Sequence, residues 1–300
     1  MPGDGRVSVR PPLSVDVAVR TDALLGEGPR WDAAARRLLW VDIEAGALHL
    51  FDPASGHDRA IPLGSRVGVA APTSSGRVLV ALADRLAVVD LDDESVRTVA
   101  PVPHGDGMRL NDGACDPAGR FWVGSTALDF APGAGALYRY SPGGALERVL
   151  DSVTLSNGIG WASDGRLMYF VDSLTYQVDV FDFDVASGEL SGRRCFVSVQ
   201  RSDGIPDGLA VDEEGGVWVA LCGGGVVRRY DANGTLDVVV DVPADNVTAC
   251  CFGDDDGRSL YITTASAGLS AEQMRNQPLA GSVFVTDAGI AGPPAQPFAG

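Results

Sequence analysis

The chain has 300 residues, 45% of them hydrophobic, with a mean hydropathy of +0.09. That is enough apolar content for a sizeable core and too much for a disordered chain. Forty acidic residues against 23 basic ones give a formal net charge of −17, which repels a phosphate backbone and argues against nucleic acid as a partner. No run approaches the roughly 20 apolar residues of a membrane span, and residues 1–12 have no apolar centre of signal-peptide type. A cytoplasmic protein without a membrane partner is expected.

In chain order, 1–14 reads as an extension and 15–300 as one domain. A strand is predicted over 15–20. Strands follow over 37–41 and, through a Gly-containing turn, over 46–52; the same pair of signals recurs at 119–123 with 135–140 and at 165–169 with 178–184. Single members appear at 76–80, 216–220 and 257–261. These six versions of one element start about every 40 to 50 residues, the period of propeller blades. Alternating residues that run into Asp, Pro and Gly turns mark antiparallel hairpins. One helical turn or two is predicted over 270–276, and a last strand over 281–285. The pattern predicts an all-β fold, a six-bladed propeller of four-stranded antiparallel blades, in which 15–20 pairs beside 281–285 and closes the ring.

Five cysteines, with no Cys-x-x-Cys pair, fit neither a disulfide framework nor a thiolate zinc site, and most are expected in the core. Three histidines are too few and too scattered for a His-rich metal site. A metal would need oxygen ligands, and four motifs offer them: Gly26-Glu27-Gly28-Pro29, Arg109-Leu110-Asn111-Asp112-Gly113, Ser156-Asn157-Gly158 and Ile205-Pro206-Asp207-Gly208. Each alone reads as a turn dipeptide. Glu27, Asn157 and Asp207, however, share one phase of the repeat, a few residues ahead of Trp31, Trp161 and Val211. Equal phase places them together at one end of the central channel, where two carboxylates and an amide oxygen would hold a divalent cation. Arg109 and Asn111 hold that phase in the third unit. A cation beside a metal is repelled unless it serves something else, so Arg109 is read as a substrate ligand; a salt bridge to Asp112 or a neighbouring carboxylate is the alternative. Most of the recurring aspartates Asp42, Asp90, Asp116, Asp172, Asp182, Asp184, Asp212 and Asp231 are expected to form solvated turns, and the run Asp254-Asp255-Asp256 is expected to be a turn. His104 is expected in an exposed loop.

With those motifs, and with Leu39-Trp40-Val41-Asp42-Ile43, Val171-Asp172-Ser173-Leu174-Thr175-Tyr176 and Cys250-Cys251-Phe252-Gly253, the chain resembles the regucalcin/gluconolactonase (senescence-marker-protein) family over about 15–300. The resemblance implies metal-dependent hydrolysis of a sugar lactone to its aldonic acid. It also implies that Glu27, Asn157 and Asp207 bind the metal, that Asp207 acts as general base, and that Arg109 and Asn111 contact substrate. Asp129 aligns with a substrate-contacting Glu of the family on a shorter loop, and Tyr176 is read as an apolar wall. All-oxygen ligation leaves calcium, zinc, manganese, magnesium and iron open. A monomer acting on a small sugar lactone is expected. The alternatives are a calcium propeller with phosphotriesterase or arylesterase activity, and a calcium-binding regulatory protein that is not an enzyme.

Overall fold

The computed structural model describes residues 13–300, so the expected extension over 1–14 lies mostly outside the described residues. Six four-stranded antiparallel sheets are present. Their first strands are Gly26–Asp32, Val67–Pro72, Met108–Cys115, Ser156–Trp161, Ile205–Val211 and Val247–Gly253. Each first strand packs against the first strand of the next sheet, and the sixth packs against the first, so the sheets stand as blades around an axis. The chain runs outward through each blade, from its axial strand to its rim.

Closure follows the predicted pairing. Asp16–Val19 forms the outer strand of the blade that holds Val247–Gly253, Ser259–Thr264 and Val283–Asp287, with Asp16 opposite Val285 and Val17 opposite Phe284. The predicted helical turn is Ala271–Asn276, where Ser270 and Gln273 satisfy each other's backbone N–H groups in a capping box.

The core lies between blades. Trp40, Trp122 and Trp218 on second strands are fully buried there. Their indole N–H groups need acceptors, and aspartates supply them: Trp122 Nε1 donates to Asp116 at 2.9 Å, and Trp218 Nε1 to Asp212 at 2.8 Å. Arg120 and Arg229 close the same two carboxylates through Nε, at 2.6 Å each. The expectation that these aspartates are solvated is therefore corrected for Asp42, Asp116, Asp172 and Asp212, which do form turns or connections but are buried. Each carries enough donors for a charge to be tolerated there. Asp182 and Asp184 are exposed as expected, and Asp254-Asp255-Asp256 forms a turn. Of the cysteines, Cys115, Cys250 and Cys251 are core residues, whereas Cys195 is exposed and Cys222 half-buried.

After the last strand the chain crosses one end of the ring. Gly292 N donates to Gly257 O at 2.9 Å, Phe298 N to Pro72 O at 2.8 Å and Ala299 N to Gly119 O at 3.1 Å. Phe298 stacks on Tyr140, with 5.4 Å between ring centroids. This strap covers a largely apolar cavity of about 190 Å³ between the late halves of the axial strands, lined by Trp161, Leu209, Cys250 and Phe252. The early halves of the axial strands face the other end.

Candidate functional site

The four motifs are not turns. Each lies in an axial strand, at a break in the ladder where that strand carries one residue more than its partner: between Glu27 and Arg30, Leu110 and Gly113, Ser156 and Ile159, and Pro206 and Leu209. The remaining two blades break at the same level, between Val67 and Val69 and between Val247 and Ala249. A bulge re-aims a side chain without ending the strand. Six bulges at one level therefore give one ring of positions: Glu27, Gly68, Asn111, Asn157, Asp207 and Thr248.

Glycines make the bulges possible. Gly28 has φ +52°, a conformation glycine adopts at no steric cost. At Gly68 the reason is space, because a Cβ would lie 2.4 Å from the backbone oxygen of Asn111. Blade two thus contributes no side chain, and the polar groups come from the other five.

Two aspartates hold the chain leading into the ring. Asp42 accepts from Leu24 N at 2.9 Å and Leu25 N at 3.2 Å, directly ahead of Gly26 and Glu27. Asp172 does the same for Thr154 N at 3.0 Å and Leu155 N at 2.9 Å, ahead of Ser156 and Asn157. The Leu39-Trp40-Val41-Asp42 and Val171-Asp172 stretches that carried the family resemblance thus hold the clamps of the site.

Glu27, Asn157 and Asp207 are 5%, 4% and 8% exposed. Burial pushes the Glu27 carboxyl up to about 8, with Asp112 adding to the rise and Arg109 and Arg30 opposing it. Asp207 is pushed well above the usual carboxylate range, by burial first and then by the charge of Glu27. A carboxylate raised by a neighbouring carboxylate is close to it and has too little positive charge nearby. Asp207 Oδ1 is also buried without a hydrogen-bond partner. Two crowded carboxylates, an orphaned carboxylate oxygen and an amide oxygen form a donor set that a hard divalent cation fits. Among the described residues no group of three or more His, Cys, Asp or Glu side chains gathers to hold a metal, so a centre here depends on the amide.

Arg109 and Asn111 stand in the same cluster. Arg109 donates to Leu110 O at 3.2 Å and to Asn111 Oδ1. Its guanidinium pKa is lowered by burial and supported by the charges of Glu27 and Asp207. Asp112 does not pair with it: Asp112 Oδ1 accepts instead from Arg30 Nη2 at 2.9 Å, across the ring between blades one and three. This pair stands between the cluster and the strapped cavity, which Arg30 also lines.

Other expected residues sit at the rim. Tyr176 is half-buried with φ +57° after the short turn Ser173–Thr175, and the Arg201 guanidinium lies over its ring at 4.1 Å. Asp129 is exposed, its carboxylate accepting from Ala131 N at 3.1 Å in its own turn, and it is not brought into the cluster. His104 is half-buried rather than exposed, and its Nε2 is 2.9 Å from Ala83 O. Sequence reasoning missed Ser173, whose Oγ accepts from Asn157 Nδ2 at 2.8 Å. It also missed Thr248, which donates to Gly26 O at 2.6 Å, and Cys222, whose thiol pKa is raised by burial and by the charges of Asp207 and Glu27. Aligning the sixth repeat at the same phase would have found Thr248.

Comparison with known proteins agrees with this architecture. Residues 25–266 match the model of the SMP-30/Gluconolactonase/LRE-like region. The chain belongs to this family. The chain is similar to regucalcin of Danio rerio, 37% identical over 292 residues, which cover 96% of this chain and 99% of that protein. A Bacillus subtilis (strain 168) relative named "Putative sugar lactone lactonase YvrE" is 36% identical over 282 residues, covering 93% and 97%. Among solved structures, the calcium-binding protein regucalcin of Agrobacterium tumefaciens superposes with a TM-score of 0.92 at 28% identity, covering 97% of this chain and 99% of that one. The family match covers five blades whole and the two inner strands of the sixth.

Proposed function

We propose that the protein is a divalent-cation-dependent hydrolase that opens a sugar lactone to its aldonic acid. The observation that carries the reading is the buried Glu27, Asn157 and Asp207 cluster with its unpartnered Asp207 oxygen. The sugar lactone lactonase and regucalcin names of the relatives point the same way. Glu27, Asn157 and Asp207 would hold the cation through oxygen. When bound, it supplies Lewis-acid stabilisation of the oxyanion formed at the lactone carbonyl and lowers the pKa of water nearby.

The chain's own groups do the rest. Asp207 takes the proton of the attacking water, whose oxygen bonds to the carbonyl carbon; the bond from that carbon to the ring oxygen then breaks, and the ring oxygen takes the proton back from Asp207 to leave as a hydroxyl. Arg109, a donor at every hydrogen-bonding position, and Asn111 orient the lactone's oxygens. Tyr176, backed by Arg201, walls the mouth. Asp129 reaches substrate only by leaving its own turn.

Product formation releases acid, so a pH indicator follows it. The chelated protein should be inactive toward glucono-, galactono-, xylono- and arabinonolactones and regain turnover with one of calcium, zinc, manganese, magnesium or ferrous iron. Asp207→Ala and Glu27→Gln should lose both metal content and turnover. Full activity in either variant would sink the reading. Tight calcium binding without turnover on any lactone would favour the regulatory alternative.

A further inference from the structure

The polar side chains of the ring form a directed chain. Arg109 Nη1 donates to Asn111 Oδ1. Asn111 Nδ2 donates to Ser156 O at 2.6 Å and to Asn157 Oδ1 at 2.7 Å, and Asn157 Nδ2 donates to Ser173 Oγ at 2.8 Å. All five residues are buried.

The direction is forced at its start. A guanidinium has donors and no acceptor, and a backbone carbonyl is an acceptor only. Turning the Asn111 amide over would face N–H against the Arg109 N–H and oxygen against the Ser156 oxygen. Asn111 is therefore pinned from both sides with Nδ2 toward Asn157, and that donor in turn selects the oxygen of Asn157. A carboxamide oxygen has two lone pairs, and this bond uses one. Ser173, at the far end, satisfies the amide nitrogen that would otherwise compete for the same place.

We propose that Arg109, Asn111 and Ser173 form an orientation relay, which keeps the oxygen of Asn157, and not its amide nitrogen, available to a divalent cation. The relay rests on the reading of Glu27, Asn157 and Asp207 as cation ligands and adds a task to Arg109 and Asn111 beyond substrate contact. They are positioning residues: they govern cation affinity through Asn157, with no substrate present. Groups that orient a ligand in this way commonly account for about 10- to 100-fold in metal affinity.

Asn157→Asp separates orientation from contact, because a carboxylate presents oxygen whichever way it turns. Calcium and manganese affinities would be measured by isothermal titration calorimetry on the full, chelated protein. Asn111→Leu should weaken cation binding about 10- to 100-fold, and the smaller change Ser173→Ala about fivefold, the worth of one neutral hydrogen bond. Combined with Asn157→Asp, both should shift affinity less than about twofold. Should Asn111→Leu fail to fold by circular dichroism, the Ser173→Ala pair carries the same test. The relay is overturned if these substitutions leave wild-type affinity unchanged, or if they cost as much in the Asn157→Asp background as without it. Wild-type protein that binds neither cation would overturn the metal reading itself, and the relay with it.

Discussion

Arg30→Met tests what holds blades one and three together at the axis. Arg30 spends its guanidinium on Asp112 at 2.9 Å, Gly113 O at 2.8 Å and Pro29 O at 2.7 Å, with side chains 9% and 3% exposed for the ion pair. Burial already raises the Asp112 carboxyl pKa and Arg30 opposes that rise, so removing Arg30 strands a buried charge. Breaking a buried pair from one side costs about 3 to 5 kcal/mol. At an unfolding entropy of about 2.1 cal/mol/K per residue, that is a fall in Tm of about 5 to 8 °C for this chain. Calorimetry on metal-free protein at pH 7 would measure it. Arg30→Met with Asp112→Asn should recover at least half of the loss, because no unpaired charge remains. Sign matters too: a carboxyl whose folded pKa is raised contributes stability present at low pH and lost as pH rises, so the gap between wild type and Arg30→Met should narrow toward pH 5. A Tm unchanged within 1 °C or so, or a double variant as unstable as the two single losses combined, would refute the reasoning.

The remaining expectations concern the ring itself. Glu27, raised to about 8, and Asp207, raised well above its usual value, should make metal-free protein lose thermal stability as pH climbs from about 4.5 through 8. Glu27→Gln should flatten that slope, and so should a saturating cation; thermal melts across pH would check both. Asp172→Ala strips acceptors from Thr154 N and Leu155 N, so it should cost about 2 to 3 kcal/mol in urea unfolding and weaken cation binding through Asn157. Gly68→Ala puts a Cβ 2.4 Å from the Asn111 backbone oxygen. It should destabilise by about 1 to 3 kcal/mol and, by displacing Asn111, weaken cation binding and lower lactone turnover together.

Most of the architecture was legible because a blade is a local object. Its hairpins lie within a single repeat, and the period of the second strands carried the count of six and the pairing of Asp16–Val19 with Val283–Asp287. The site was legible only as phase. Glu27, Asn157 and Asp207 fall at one position of the repeat, and phase survives when the local reading is wrong. The local reading was wrong: Asn157-Gly158 and Asp207-Gly208 have the composition of turns but act as bulges, since the flanking strand is held by neighbours far away in sequence. The same distance hid Arg30 with Asp112, 82 residues apart; Ser173 is only 16 residues from Asn157 and was hidden because it follows the neighbouring strand of the blade. Burial of Asp116 and Asp212 was hidden because their Trp and Arg donors had to be placed first. Asp129 came from alignment alone, and its exposed turn has no phase in common with the ring.

The C-terminal strap and the Arg30–Asp112 pair give the ring a consequence in kinetics. The strap crosses the far end from Gly257 to Gly119, and the Arg30–Asp112 pair bridges blades one and three beside the cluster. On the proposed reaction, lactone and aldonate are expected to share the end of the channel opposite the strap. An open acid held there excludes the next lactone, so accumulated product should inhibit competitively and raise the apparent KM while leaving kcat unchanged.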